Sequence, residues 1–234
     1  MEFISGGYYI IAPTIRQEFM DKEIIPDKII SVSECICDFY PEINVFWGGS
    51  KENKLKYIKD LNISVDKYKE MEKWIQDKSD LKQFEYPQIF PSLNLAKEFF
   101  NKFLNHINDL KIIGIGLPNN YLESFLDEEG TKNKSTEERS GIENVLIKKE
   151  FINSQTGSIK GYEILGYETN TFHSYLCNGL EKDFKNTYDF SLNENGFIKS
   201  LTEAERYCDI ANDEDLGTEP VFWLPWAIFE YNSY

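Results

Sequence analysis

Arginine is almost missing from this chain. Only Arg16, Arg139 and Arg206 stand among 25 basic residues, which face 40 acidic ones for a net charge of −15. Nucleic acid and anionic lipid surfaces both call for concentrated positive charge, so neither is an expected partner. Histidine is scarcer still, with His106 and His173 alone. Four cysteines, Cys35, Cys37, Cys177 and Cys208, are too few for a disulfide framework in 234 residues. Cys35-Ile36-Cys37 is a CxC pair with no second pair to complete a zinc site, and reads as core packing. No apolar run approaches the roughly 18 residues that span a bilayer. The N-terminal MEFISGGYYIIAPTI lacks a basic segment followed by an apolar one and a small-residue cleavage site. A cytoplasmic protein without cofactor or metal is the expectation.

What is present is aromatic and acidic. Aromatics make up 15% of the chain, with 17 Phe and 14 Tyr, which marks an ordered core. The charge is uneven: residues 150–234 hold 15 acids against 5 bases, two thirds of the net charge in the last third of the chain. Solubility alone can explain acidity. A face that meets a basic partner is the sharper reading.

Taken in order, Tyr8 to Ile11 reads as a strand closed by Pro13, and Lys28 to Cys37 is ambiguous between strand and helix. Val45-Phe46-Trp47 is a candidate short strand. Ser64 caps a predicted helix to about Lys78 that buries Tyr68, Met71, Trp74 and Ile75. Ser92 caps another, with Ala96, Phe99, Phe100, Phe103, Leu104 and Ile107 at helical spacing. The run Leu110 to Leu117, apolar on both faces, predicts a central strand. Gly114-Ile115-Gly116 within it lacks the third glycine of a phosphate loop and is set aside as one. Pro118 opens a helix facing Tyr121, Leu122, Phe125 and Leu126 inward. Residues 127–141, polar with two glycines, predict a mobile loop. Asn193 to Gly196 reads as a turn, and Thr202 with Glu205 as a capping box for a helix burying Ala204, Tyr207, Cys208 and Ala211. The aromatic run VFWLPWAIFEY is interrupted by Pro225, which predicts an edge strand or a bulge.

Residues 161–182 organise the reading. Tyr162 to Tyr167 predicts a strand, and from Phe172 the apolar residues recur every fourth position through Leu176, Leu180, Phe184 and Tyr188. That spacing predicts a helix. It would align His173, Cys177 and Glu181 beside the apolar stripe, as a metal site, a Cys-His pair or packing alone. Gly179 then marks close approach of another element. Glu163 and Glu168 flank the strand as solvated surface, and Trp223 and Trp226 are candidates for a stacking wall or an interface.

Segments GYEILGYE, FHSYLCNGLEKDF, LNENGFI and EPVFWLPWAIFEY, in that order, give residues 161–231 a resemblance to a group of bacterial proteins. That group is similar in size, acidity and cytosolic character to the immunity proteins of polymorphic toxin systems. The resemblance implies a binding role and brings no catalytic residues. The expected fold is one α+β domain over residues 1–234, a mixed sheet of five or six strands with packed helices. The expected function is a non-enzymatic binding protein that neutralises a basic toxin domain or another basic protein. Its face would include Asp213, Glu214, Asp215 and Glu219, with Trp223 and Trp226 as anchors. The alternative is an enzyme or ligand-binding protein with a pocket near His173, Cys177 and Trp223.

Overall fold

The structure is a computed structural model, and it describes residues 2–37, 51–80, 89–129, 134, 141–152, 156–168, 171–213 and 218–232. The expected strand at Val45 to Trp47 and most of the expected loop at 127–141 lie outside the described residues. Seven strands and seven α-helices are described: β1 (Phe3–Ile11), β2 (Thr14–Ile15), β3 (Lys28–Ile29), α1 (Lys51–Asp60), α2 (Val65–Asp80), α3 (Leu93–Phe99), β4 (Lys111–Pro118), α4 (Leu122–Glu128), α5 (Ile142–Leu146), β5 (Gly157–Glu168), β6 (Thr171–Ser174), α6 (Glu181–Thr187), α7 (Leu201–Ala211) and β7 (Leu224–Tyr231). The fold is α+β. Its main sheet has the order β1-β4-β7-β5-β6, and β2 pairs with β3 in a separate ribbon. Every pairing is antiparallel, where a mixed sheet was expected.

The sheet draws on both ends of the chain, because β4 pairs with β7 from Ile112↔Tyr231 to Gly116↔Ala227. β7 is therefore the middle strand, not an edge. Pro225 fits there because the β4–β7 pairing stops at Gly116↔Ala227, so only β5, at Ile164, flanks the proline. A residue without an N–H is tolerated where one neighbour is missing.

One face of the sheet carries Ile4, Ile11, Ile113, Ile115, Leu117, Leu165, Trp226 and Ile228 under Phe125 of α4 and Ile142 and Val145 of α5. A bulge between Ser5 and Tyr8 lets Ile4 and Tyr9, five residues apart, share that face. Gly7 makes the extra turn at φ 99°. The other face has two helical covers. Tyr8, Ile10, Ile112, Phe229 and Tyr231 lie under α2, α3 and the π-helical turn Phe100–Leu104. Ile164 and Trp223 lie under Leu176, Leu180, Phe184 of α6 and Tyr207 of α7. On the first of these patches β4 presents Gly114 and Gly116. A Cβ at Gly116 would sit 2.8 Å from Phe3 Cβ, and one at Gly114 would sit 2.9 Å from the Tyr231 ring. These glycines make room for aromatic rings.

The caps follow the sequence closely. Ser64 Oγ accepts the N–H of Lys67 at 3.1 Å, and Ser92 Oγ accepts that of Leu95 at 3.3 Å. Asn193 Oδ1 accepts from Asn195 and Phe197 to make the expected turn. The α7 box is formed two residues earlier than predicted. Ser200 Oγ accepts from the Glu203 N–H at 3.3 Å and donates to Glu203 Oε2 at 2.7 Å.

The predicted helix from Phe172 does not form as one element. Residues 171–174 pair with β5, with Tyr167 opposite Phe172 and Leu165 opposite Ser174. Ser174 then caps a 3-10 turn, Tyr175–Asn178, by accepting the Leu176 N–H. Gly179 ends that turn at φ 68°, and a Cβ there would meet nothing within 4 Å. Its role is the left-handed backbone, not close approach.

Candidate functional site

The breakup of that helix scatters His173, Cys177 and Glu181. His173, on β6, turns its Nδ1 towards Glu219 Oε1 at 3.5 Å. Cys177 Sγ lies 3.5 Å from Ser33 Oγ. Glu181 is buried at the start of α6, where its Oε1 accepts the Asp21 N–H at 3.3 Å. Among the described residues no group of three or more His, Cys, Asp or Glu could hold a metal ion.

Trp223 and Trp226 are both 0% exposed. Neither indole can reach a surface partner in this conformation. Trp226 is paired with Glu163 of β5, and its ring packs edge-on against Phe125 and Phe172 at 6.0 and 5.2 Å. Trp223 is held by its backbone: Asn212 Oδ1 accepts its N–H at 2.8 Å, and Asn212 Nδ2 donates to its carbonyl at 2.9 Å. This clamp returns the chain to the sheet immediately after α7. The acidic segment lies between them in the chain.

Of that segment, Asp213 is exposed, and its N–H donates to the Ile210 carbonyl. Glu219 is half-buried, engaged with His173 through its side chain and with Asn178 Oδ1 through its N–H. Glu214 and Asp215 lie outside the described residues. α7 itself extends this negative run. With Ala204, Tyr207, Cys208 and Ala211 buried as expected, Arg206 and Asp209 are exposed on its outer side, while Glu203 and Glu205 are half-buried at its flanks, Glu203 in the Ser200 cap and Glu205 accepting the Tyr121 hydroxyl at 3.1 Å. Asp209 and Asp213 sit at the C-terminal end of α7, whose last turn holds no basic residue. The partial negative charge of a helix C-terminus disfavours acids there.

A second polar cluster was not legible as one. Glu163, expected at the surface, is 2% exposed and faces inward opposite Trp226. Its Oε1 accepts the Ser31 hydroxyl at 2.5 Å. Burial pushes its carboxyl up to about 7, although the Ser31 and Ser174 hydroxyls and the Val32 N–H favour the ionised form. Burial, reinforced by the charges of Glu163 and Glu181, likewise raises the neighbouring Tyr175 phenol. The alternation of Glu163 with Leu165 and Tyr167 was the available signal. Glu168, by contrast, is exposed as expected.

A cavity of about 410 Å³ lies elsewhere, an open groove between the end of α2, the start of α3 and residues 148–150, lined by Lys78, Ser92, Glu98, Lys148 and Glu150 among others. No helix among the described residues is long and apolar enough to cross a membrane. No protein-family model, curated protein or solved structure matches this chain.

Proposed function

We propose that the protein is a non-enzymatic binding protein that takes up a basic protein partner on the outer side of α7 and the segment after it. One observation carries this reading. Residues 201–213 hold four acids against one base, and the exposed Asp209 and Asp213 stand where the helix dipole opposes them. Charge placed against local stability is accounted for by a complementary surface. Long-range attraction to such a surface speeds encounter and selects partners by sign. Neutralisation of a toxin domain, as in immunity proteins, is the narrower form of the proposal, and a cytoplasmic location belongs with it.

The pocket reading has less support. His173, Cys177 and Glu181 face different neighbours, and Trp223 is sealed in the core. The test is to co-purify the protein with its partner, identify that partner by mass spectrometry, and titrate the two purified proteins by calorimetry. The proposal expects a stoichiometric complex with a basic protein that weakens when Asp209 and Asp213 are changed to Asn. A complex with an acidic or neutral protein, or one indifferent to both substitutions, would overturn it.

A further inference from the structure

The four cysteines divide into two kinds. Cys37 packs in the core of the first sheet face, and Cys208 is buried on the inner side of α7. Cys35 and Cys177, 142 positions apart in the chain, are not sealed: Cys35 is exposed and Cys177 only partly buried. The fold brings them together through the arm of residues 30–37. That arm closes in a turn in which the N–H groups of Ile36 and Cys37 donate to the Ser33 carbonyl. Gln17 Nε2 pins it from outside by donating to the Cys35 carbonyl at 3.0 Å. Ser33 Oγ then stands 3.5 Å from Cys177 Sγ, and Cys35, two residues further along the same turn, is close enough for its thiol to interact with that of Cys177. Cys37, although nearer in sequence, belongs to the buried side of the turn, away from the exposed Cys35.

We infer that Cys35 and Cys177 form an oxidisable dithiol site, which closes to a disulfide in the presence of a peroxide and staples the 30–37 arm to the turn after β6. The exposed Cys35 meets the oxidant first. Its thiolate attacks one oxygen of hydrogen peroxide, the O–O bond breaks, and hydroxide leaves to give a sulfenic acid on Cys35. The Cys177 sulfur then attacks the Cys35 sulfur. The S–S bond forms, the S–O bond breaks, and the second hydroxide departs. The two thiol protons convert both hydroxides to water. Both sulfurs are oxidised by one electron each, and the two peroxide oxygens are reduced. Burial pushes the Cys177 thiol up to about 12, which leaves the exposed Cys35 to meet the oxidant, and proximity to the oxidised Cys35 is what lets Cys177 resolve it.

The stapled arm is the one that carries Ser31 against Glu163. Oxidation thus fixes the cover of the buried carboxylate. The test uses the intact native chain. It is treated with a small excess of hydrogen peroxide, alkylated with N-ethylmaleimide, digested without reduction and mapped by mass spectrometry. The expected main oxidised product is monomeric, with the Cys35 and Cys177 peptides joined and two hydrogens lost, while Cys37 and Cys208 remain thiols. Its Tm should rise by roughly 5 °C or more, because the bond closes a long loop. Cys35→Ser, a change at an exposed position, should lose both the cross-link and the shift. Sulfinic acid on Cys35 with Cys177 still alkylatable, a Cys35–Cys37 bond, or a disulfide-linked dimer would each overturn the inference.

Discussion

Two helical layers cover the same face of one sheet, and their outer surfaces are built differently. Over β1, β4 and β7, the 16 residues of α2 hold five acids and four bases, and these are largely matched. Glu70 meets Lys67 at 3.0 Å and Lys102 at 3.3 Å, Lys54 meets Glu72 at 2.6 Å, and Lys78 meets Glu98 at 3.2 Å. Three of these lysines also lie over the rings of Phe103 and Trp74 at 5.0–5.3 Å. Over β5, α7 and the residues to Asp213 hold four acids and one base. The first layer is a surface that satisfies itself. The second keeps its charge unbalanced, and the sheet beneath is equally well packed in both places. That difference in outer charge is what the proposed binding role rests on.

Removing the shared foundation has the largest effect. Trp226→Ala in the middle strand should lower stability by about 3–5 kcal/mol, and Leu176→Ala or Leu180→Ala by about 2–5 kcal/mol. Urea denaturation should show one transition in each case. Loss of the α7 layer in a separate, earlier transition would break the picture of one sheet with two covers.

Glu163 gives the next effect, and its sign is set by linkage. Its carboxyl titrates near 7 in the folded chain, above the ordinary 4.5. The folded state therefore holds this proton more tightly than the unfolded one. Stability from this group falls as pH rises from about 4.5 to 7, by up to roughly 3 kcal/mol, and is flat above that. Glu129, raised to about 7 by burial and by Glu143, pulls the wild type in the same direction. Glu163→Gln isolates the first contribution. It should stabilise the protein by about 1–3 kcal/mol at pH 8 and change little at pH 4.5, as read from urea curves at the two pH values. An equal change at both would contradict the buried, proton-holding carboxylate.

The sequence foretold the second layer only in part, and Glu163 shows why. An acid in a strand is read as solvated unless the neighbour across the sheet is known, and no local pattern names Trp226 as that neighbour. The same limit moved β7 from edge to centre: Pro225 is locally unflanked, but that depends on where the β4–β7 pairing ends. Phe172, Leu176 and Leu180 recur at helical spacing, yet Ser174 as a cap and Gly179 at positive φ cut the stretch into strand, 3-10 turn and helix. Self-contained signals were read correctly. Ser64 and Ser92 cap their helices, Asn193 makes its turn, and α7 buries the four residues its spacing predicted. The candidate site was legible as a bias in charge and not as geometry. Its tryptophans are interior, and the outer residues of α7 were passed over in favour of the loop beyond.

The smallest stability effects discriminate the two layers by sign. Asp209→Asn with Asp213→Asn should raise stability by about 0.3–1 kcal/mol, by relieving charge at a helix C-terminus. Glu70→Gln on α2 should lower it slightly, because two lysines lose their partner. Thermal unfolding at low ionic strength reads both. The same sign for both would remove the contrast between a self-satisfied surface and an unbalanced one.

The most direct test of the acidic face is the rate at which the partner, once identified, associates with it across a salt series. Measured by stopped flow, the wild-type rate should be high at low salt and fall steeply as salt is added. A variant with Asp209, Asp213, Glu214 and Asp215 neutralised should associate about tenfold more slowly at low salt, with a nearly flat salt dependence and an unchanged fold. Superimposable rates for the two proteins at every salt concentration would contradict the claim that this face is what the partner meets.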